Sequence, residues 1–147
     1  WQSEEFAKVV ISLSNKFDIL IFGGVSEKNI ANKIEKLLIE NNVSNYQNLA
    51  AETSIDQLIH HISTLDIFVT GDSGPMHIAA AFKVPTVSIF GPTNHNQTSQ
   101  WMNDKGAIVK KELDCQPCMQ RKCPLKHNNC MKLIKADEVL SSVKSLI

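Results

Sequence analysis

Short apolar runs that alternate with segments of helical period predict an α/β fold, a parallel sheet with helices on both faces. Residues 18–24, Asp-Ile-Leu-Ile-Phe-Gly-Gly, form a continuous apolar run stopped by two glycines, the pattern of a strand buried on both sides. Residues 65–70 and 86–90 repeat it, closed by Thr-Gly-Asp-Ser-Gly and by Gly-Pro-Thr. Between the first two runs, Ile30, Ile34, Leu37 and Leu38 recur at helical spacing, with Glu27, Lys28, Lys33, Glu35 and Lys36 left for water, until Glu-Asn-Asn ends the segment.

The remaining elements follow in order. Residues 46–50 are a short extended segment, and Thr-Ser-Ile-Asp-Gln-Leu-Ile-His-His-Ile-Ser-Thr is a second helix with Thr53 or Ser54 as its N-cap. His60 and His61 lie on that helix as surface residues. After the strand at 65–70, a helix begins at Pro75, whose missing N–H is not needed in a first turn, and runs through Ala79, Ala80 and Ala81. The strand at 86–90 is followed by a shorter one at 107–109 and a terminal amphipathic helix over Ala136–Leu146. There is no internal repeat and no low-complexity segment.

The chain of 147 residues, 43% hydrophobic and 20% charged, is about one domain long and can bury a real core. No apolar run approaches the roughly 18 residues a bilayer span needs, and the opening residues lack the basic-then-apolar order of a signal peptide. The expected compartment is therefore the cytoplasm, the inner face of the inner membrane included. A start on Trp rather than Met fits a segment of a longer chain. Net charge is zero but unevenly divided: residues 1–100 carry 6 basic and 10 acidic side chains, residues 101–147 carry 9 and 5. With few aromatics interleaved, the cationic third is a solvated face rather than a nucleic-acid surface, so no nucleic-acid partner is expected. An anionic substrate, or a peripheral contact with an anionic membrane, stays open to it.

The chemistry concentrates at residues 70–77, Thr-Gly-Asp-Ser-Gly-Pro-Met-His. Gly-Asp-Ser-Gly-Pro resembles the nucleophile signature of trypsin-like proteases, but it is one glycine short, and those enzymes are all-β with a His and an Asp supplied upstream. It is not a G-x-S-x-G elbow either, because Pro75 stands two residues after Ser73. An anion cradle agrees better with a strand that ends in Gly-Asp-Ser-Gly and enters a helix. The orphan N–H groups and the positive dipole end then point at the crevice beyond the strand ends. Gly74 admits a phosphate close to the backbone, Ser73 donates a hydroxyl and His77 an imidazole N–H. The plainer alternative is an ordinary strand-to-helix turn with Asp72 or Ser73 as N-cap.

The stretch from Asp72 to Trp101, DSGPMHIAAAFKVPTVSIFGPTNHNQTSQW, resembles the C-terminal half of glycosyltransferase family 9, which contains the ADP-heptose:lipopolysaccharide heptosyltransferases. The family pattern D-[ST]-G-x-x-H-x-A-A-A, a Pro before an apolar strand, F-G-P-T and a later Trp falls here on Asp72, Ser73, Gly74, His77, Ala79, Ala80, Ala81, Pro85, residues 90–93 and Trp101. FGGVSEKNIANKI and the Cys-rich tail resemble other parts of the same family, so the likeness covers nearly the whole chain. It implies a Rossmann-like, C-terminal nucleotide-sugar-binding domain over residues 1–147, one half of a GT-B enzyme, with the acceptor-binding N-terminal half and its acidic base elsewhere. Trp1 matches a family Trp that normally follows a basic residue, and that residue is not in this chain.

The resemblance places Ser73, Gly74, Pro75, Met76 and His77 along the diphosphate of an ADP-heptose donor and Asp72 near the sugar, making Asp72 and His77 the catalytic pair. Glu27 is the candidate ribose contact, with an exposed acid in a helix's first turn as the equal alternative. It also implies inverting transfer of heptose to the lipopolysaccharide inner core, whose acceptor is held by the other half, so this half alone is expected to be inactive. No D-x-D occurs, so the leaving diphosphate would be held without a metal, and no cofactor is required. A non-catalytic module that binds a nucleotide or nucleotide sugar is the alternative.

Cys115, Cys118, Cys123 and Cys130 fall within 16 residues. In a reducing compartment they can hold a structural Zn²⁺, with His127 as a substitute ligand, although the paired C-x2-C spacing of a zinc ribbon is lacking. Otherwise they only pack a tail. His95, after the F-G-P-T turn, is either a loop residue over the donor or a solvated one.

Overall fold

Five short strands form, all in parallel pairs, in two separately hydrogen-bonded sets. In the computed structural model, which describes residues 1–147, β1 (Ile19–Ile21) pairs with β2 (Tyr46–Asn48), Ile19 opposite Tyr46. The second set has the order β3-β4-β5, made of Phe68–Gly71, Thr86–Phe90 and Gly106–Lys110. Phe68 stands opposite Thr86, Gly71 opposite Ile89, and Phe90 opposite Lys110. The chain accordingly divides into two compact units, Gln2–Leu58, and Ile59–Ile147 with Trp1. The fold class is the α/β arrangement of parallel strands and helices that the alternation predicts.

In the first unit, α1 (Ser3–Leu13) packs on α2 (Lys28–Glu40), which is entered through a 3-10 turn at Val25–Glu27. Ala7, Ile21, Ala31, Ile34, Leu38 and Val43 make its core. The strand and α2 lie where the sequence places them, whereas α1 is an addition to the expected elements. Glu4 and Glu5 complement the dipole at its start, and the buried Glu5 carboxylate is answered by Lys8 Nζ at 2.8 Å. At the following helix, α3 (Ile55–Ser63), Ser54 is the cap. Its Oγ accepts the Gln57 N–H at 3.2 Å while Gln57 Oε1 accepts the Ser54 N–H at 2.8 Å, a reciprocal capping box.

The second unit is built around β4. All five of its residues are buried, so both faces of the strand are covered. The helix α4 (Gly74–Ala81) packs on β3 and β4, approaching closely through Ala79 and Ala80, while Ala81 stays in solvent. The terminal helix α7 (Ala136–Leu146) packs on β4 and β5 with Val139 and Val143 fully buried. Two short helices complete the unit, α5 (His95–Thr98) and α6 (Asn129–Lys132).

Burying β4 also buries two hydroxyls, Thr86 and Ser88, and each needs a partner. Thr86 Oγ1 donates to Val84 O at 2.8 Å, and Ser88 Oγ donates to the buried Gln100 Oε1. The same Gln100 amide donates to Thr86 O at 3.3 Å and Ala107 O at 3.2 Å, clipping β4 to β5. No helix of the chain is long and apolar enough to cross a membrane.

Two tests follow from this packing. Lys111 Nζ lies 2.6 Å from Glu138 Oε2, and Glu138 Oε1 accepts the Lys135 N–H at 2.9 Å. Partial burial pushes the Glu138 pKa up, but the Lys111 ammonium and the Lys135 N–H outweigh it and hold the carboxyl below its ordinary value of 4.5. A lowered folded pKa means stability that is present above the ordinary value and is lost as pH falls through the folded one. Glu138→Gln, which keeps the N–H acceptor, is expected to cost about 0.5 kcal/mol in urea unfolding near neutral pH, and that difference should vanish below the carboxylate range. The second test is Gly91→Ala. A Cβ there would overlap Met131 Sδ and reach Met131 Cγ at 3.0 Å, so overpacking should cost about 1–3 kcal/mol by the same unfolding assay.

Candidate functional site

Parallel pairing places the C-terminal ends of β3, β4 and β5 along one edge of the second sheet, where open α/β sheets hold ligands. The turn after β3 carries Asp72 and Ser73. Ser73 is the N-cap of α4 in extended conformation (φ −155°, ψ 167°), and Pro75 lies within the first helical turn. Ser73 Oγ donates to Gly71 O at 3.3 Å and lies 3.3 Å from Thr70 Oγ1, so the hydroxyl is steadied from the strand rather than used to cap the helix.

Ser73, Gly74 and His77 are exposed together at the start of α4. Gly74 has no positive φ, and a Cβ added to it would meet nothing within 4 Å. Neither backbone conformation nor internal packing therefore demands glycine there. What glycine leaves is open space against an orphan helical N–H, where an anion can come to backbone distance. Pro75 offers no N–H and sets the chain's entry to the helix. Met76 departs from the expectation. Its side chain is fully buried and its N–H donates to Ser73 O at 3.1 Å, so it packs the core beneath the turn instead of facing a ligand.

Asp72 is half-buried, and its Oδ2 accepts the Thr98 hydroxyl at 3.0 Å. This ties the turn after β3 to α5 in the segment after β4. Thr98 is a partner of the turn that sequence reasoning missed, because it is 26 residues away and lies in no charged or glycine-rich pattern.

Glu27 belongs to the first unit. Its Oε2 accepts the Gly24 N–H at 2.7 Å, fastening the Gly23-Gly24 turn, and the residue is otherwise exposed. The structure thus gives Glu27 a hold on the glycine turn that the sequence did not announce, on a residue that is exposed as an acid in a helix's first turn would be.

The turn at residues 73–77 is exposed at Ser73, Gly74 and His77 and lines neither of two concavities elsewhere on the chain. One cavity, of about 370 Å³, lies beyond the ends of β4 and β5, among Phe90, Thr93, His95, Lys110 and Gln116. His95 meets Phe90 edge-on, ring centroids 6.3 Å apart. At its rim the Lys110 ammonium, 2.8 Å away, holds the exposed Glu112 carboxyl below its usual range. The other, a groove of about 630 Å³ beside Tyr46 and Asn48, lies in the first unit.

The four cysteines are free thiols, Cys130 buried and the other three half-buried. Cys118, Cys123 and Cys115 lie near enough for their charge to add to burial in pushing the Cys130 thiol up. Backbone N–H groups, that of Asn128 foremost, hold the Cys123 thiol below its ordinary value. No group of three or more His, Cys, Asp or Glu side chains is drawn to metal-binding separation, so the expected zinc ligands share a neighbourhood without forming a closed site.

The comparisons with known proteins bear on the family and the fold. The model of glycosyltransferase family 9 (heptosyltransferase) matches residues 1–129. Lipooligosaccharide heptosyltransferase 2 of Campylobacter jejuni serotype O:2 is 46% identical over 148 aligned positions, covering 100% of this chain but 46% of that protein. Lipopolysaccharide heptosyltransferase 2 of Escherichia coli is 31% identical over 75% of the chain and 32% of its own length. The chain thus spans less than half the length of these relatives. Among solved structures, E. coli ADP-heptose lipopolysaccharide heptosyltransferase II superposes with a TM-score of 0.82 at 24% identity, over 99% of this chain and 41% of that one. An E. coli heptosyltransferase with ADP superposes at 0.74 and 15% identity, over 100% and 40%. Those two likenesses speak for the fold, which is that of GT-B heptosyltransferases. The sequence matches speak for descent, and the chain belongs to glycosyltransferase family 9, the heptosyltransferases.

Proposed function

We infer that this chain is the donor-binding half of an inverting heptosyltransferase, which holds ADP-heptose by its diphosphate for transfer of heptose to the lipopolysaccharide inner core. The observation that carries this is the exposed group of Ser73, Gly74 and His77 at a strand-to-helix junction, with open space in front of Gly74. Support for the donor comes from the names of the relatives, one described with ADP-heptose and one with ADP.

In the reaction the bond between the anomeric carbon and the diphosphate breaks through an oxocarbenium-like state, and negative charge grows on the leaving group. The Gly74 N–H, a His77 ring N–H and the dipole of α4 are in place before that charge appears, which is where preorganised electrostatics act, and the Ser73 hydroxyl adds to them by turning its proton from Gly71 O to the diphosphate. Asp72, steadied by Thr98, is assigned to the sugar. The acceptor and the base that takes its proton belong to the half of the enzyme outside this chain. Without that half the cleft does not close on an attacking hydroxyl, so residues 1–147 alone bind donor weakly and transfer no sugar.

The reading is tested by calorimetric titration of ADP into the full-length protein and its variants. Gly74→Ala should leave unfolding within about 0.5 kcal/mol of the parent, since nothing crowds that site, and should weaken ADP about tenfold or more, some 1.4 kcal/mol. His77→Ala should lose a comparable amount, as one charge-assisted hydrogen bond is worth about 1.5–3 kcal/mol. Wild-type ADP affinity in both variants would overturn the diphosphate assignment. Excess EDTA should leave ADP affinity and heptose transfer by the full-length protein unchanged, and a strict requirement for added Mg²⁺ would refute the metal-independent mechanism. Full-length protein that binds ADP but transfers heptose to no truncated lipopolysaccharide acceptor would make the non-catalytic module the better reading.

A further inference from the structure

The loop after β4 leaves a hydrogen-bonding group without a partner. Thr93 Oγ1 is the one buried side-chain oxygen or nitrogen of the chain that bonds to nothing. Sealing a hydroxyl away unpaired costs the fold stability, so such an atom calls for a physical reason. Thr93 is half-buried as a residue and lines the cavity of about 370 Å³ beyond β4 and β5. With no bond to break, one rotation about the Cα–Cβ bond carries the hydroxyl toward that space.

The next two residues along the same wall are in a similar condition. Asn94 spends Oδ1 on the Asn96 N–H at 3.1 Å, as the cap of α5, and keeps the two donors of its amide. His95 lies edge-on to Phe90, ring centroids 6.3 Å apart, with both ring nitrogens unbonded. Three consecutive residues thus present unspent polar groups to one cavity, beside an aromatic ring. The segment after β5 braces the loop that carries them. Gln116 Nε2 donates to Gly91 O at 2.6 Å, Gln116 Oε1 accepts the Leu113 N–H at 3.1 Å, and Met119 N–H donates to Pro92 O at 2.9 Å.

Charge decides the class of ligand. The two ammonium groups at the cavity are each answered by a carboxylate, Lys110 by Glu112 at 2.8 Å and Lys111 by Glu138 at 2.6 Å. A phosphate would have to break one of these pairs, whereas a neutral molecule rich in hydroxyls finds donors and acceptors ready at Thr93, Asn94 and His95. A cavity of about 370 Å³ is near the small end of ligand sites, which run roughly 300–1,000 Å³, a size for one sugar ring rather than a nucleotide. Its place agrees with its chemistry. The short helix α5 supplies His95 and Asn96 to the cavity wall and Thr98 to Asp72, and His95 and Thr98 are three positions apart, about 4.5 Å along a helix axis.

We propose that this cavity receives the sugar of the donor, and that Thr93, Asn94 and His95 read its hydroxyls and set which sugar is transferred. The proposal rests on the diphosphate reading of residues 73–77 and extends it. Asp72 meets the sugar on one side of α5, and the cavity takes the hydroxyls farther from the diphosphate. A bound sugar supplies the partner that the fold withholds from Thr93, so the hydroxyl that destabilises the empty site stabilises the filled one.

The test compares ADP, ADP-heptose and ADP-glucose by calorimetric titration into the full-length protein and its variants. Thr93→Val keeps the shape and removes the hydroxyl, so its urea midpoint should equal or exceed the parent's. It should bind ADP within about twofold of the parent and ADP-heptose about fivefold or more weakly. The ratio of kcat/KM between ADP-heptose and ADP-glucose should narrow by a similar factor. Thr93→Ser, which retains a hydroxyl, should bind ADP-heptose as the parent does, and this holds the test open if valine unsettles the fold. His95→Phe, which keeps a ring against Phe90, should also weaken ADP-heptose about fivefold and spare ADP. Parental ADP-heptose affinity in either Thr93→Val or His95→Phe would overturn the proposal. So would equal weakening of ADP, which would make the cavity a nucleotide site, or a raised KM for the truncated lipopolysaccharide acceptor alone, which would give it to the acceptor. Gly74→Ala reports on the diphosphate turn separately. Parental ADP affinity in that variant, with ADP-heptose weakened in Thr93→Val, would sink the reading of the turn and leave that of the cavity standing.

Discussion

The second unit depends on one constraint, that its central strand is buried on both faces while carrying two hydroxyls. An apolar strand in that place would need only packing. Thr86 and Ser88 need partners as well: the Thr86 hydroxyl finds Val84 O, and one side chain, Gln100, accepts from Ser88 while donating to carbonyls on β4 and β5. Removing it would strand buried polar groups at about 1–3 kcal/mol each. The clip also explains the absence of a side chain at Gly106, where a Cβ would overlap the Gln100 amide. Once β4 and β5 are locked in register, the turns that follow their ends are fixed, and with them the surface on which a ligand can rest.

Much of this was legible in the sequence, because period and punctuation are local signals. Residues 86–90 and 136–146 form elements with the expected bounds, since the first is bracketed by Pro85 and Gly91 and the second by a clean amphipathic repeat. The missed helix, α1, had its own signal in Phe6, Val9, Val10 and Leu13 at helical spacing behind Glu4 and Glu5. Division into two units was not legible, because which strands share hydrogen bonds is a property of tertiary pairing that no local period encodes.

At the candidate site, sequence located the turn but not the duties within it. A motif specifies positions, and burial then decides which of them can meet a ligand. Met76 has the right position and the wrong face, so it went to the core while Gly74 and His77 stayed in water. Glu27 shows the same limit from the other side. An acid three residues after a glycine turn serves the turn first, and the Gly24 N–H takes one of its oxygens. Family resemblance could not supply Thr98 either, since the bond it makes to Asp72 exists only once β3 and β4 lie side by side.

That bond changes what kind of acceptor Asp72 is. A carboxylate free to rotate offers two equivalent oxygens and accommodates a hydroxyl from many directions. With Oδ2 engaged by Thr98, the group presents one oxygen, at a fixed angle, from a half-buried position. Such an acceptor discriminates stereochemistry, because epimers that differ at a single carbon point their hydroxyls to different places and only one of them meets the free oxygen. The bond also couples the carboxylate to α5, a helix of four residues. Displacement of α5 would release the carboxylate and turn a directional contact into a permissive one, so on the proposed assignment of Asp72 to the sugar, selectivity would rest partly on Thr98, whose bond is to the carboxylate.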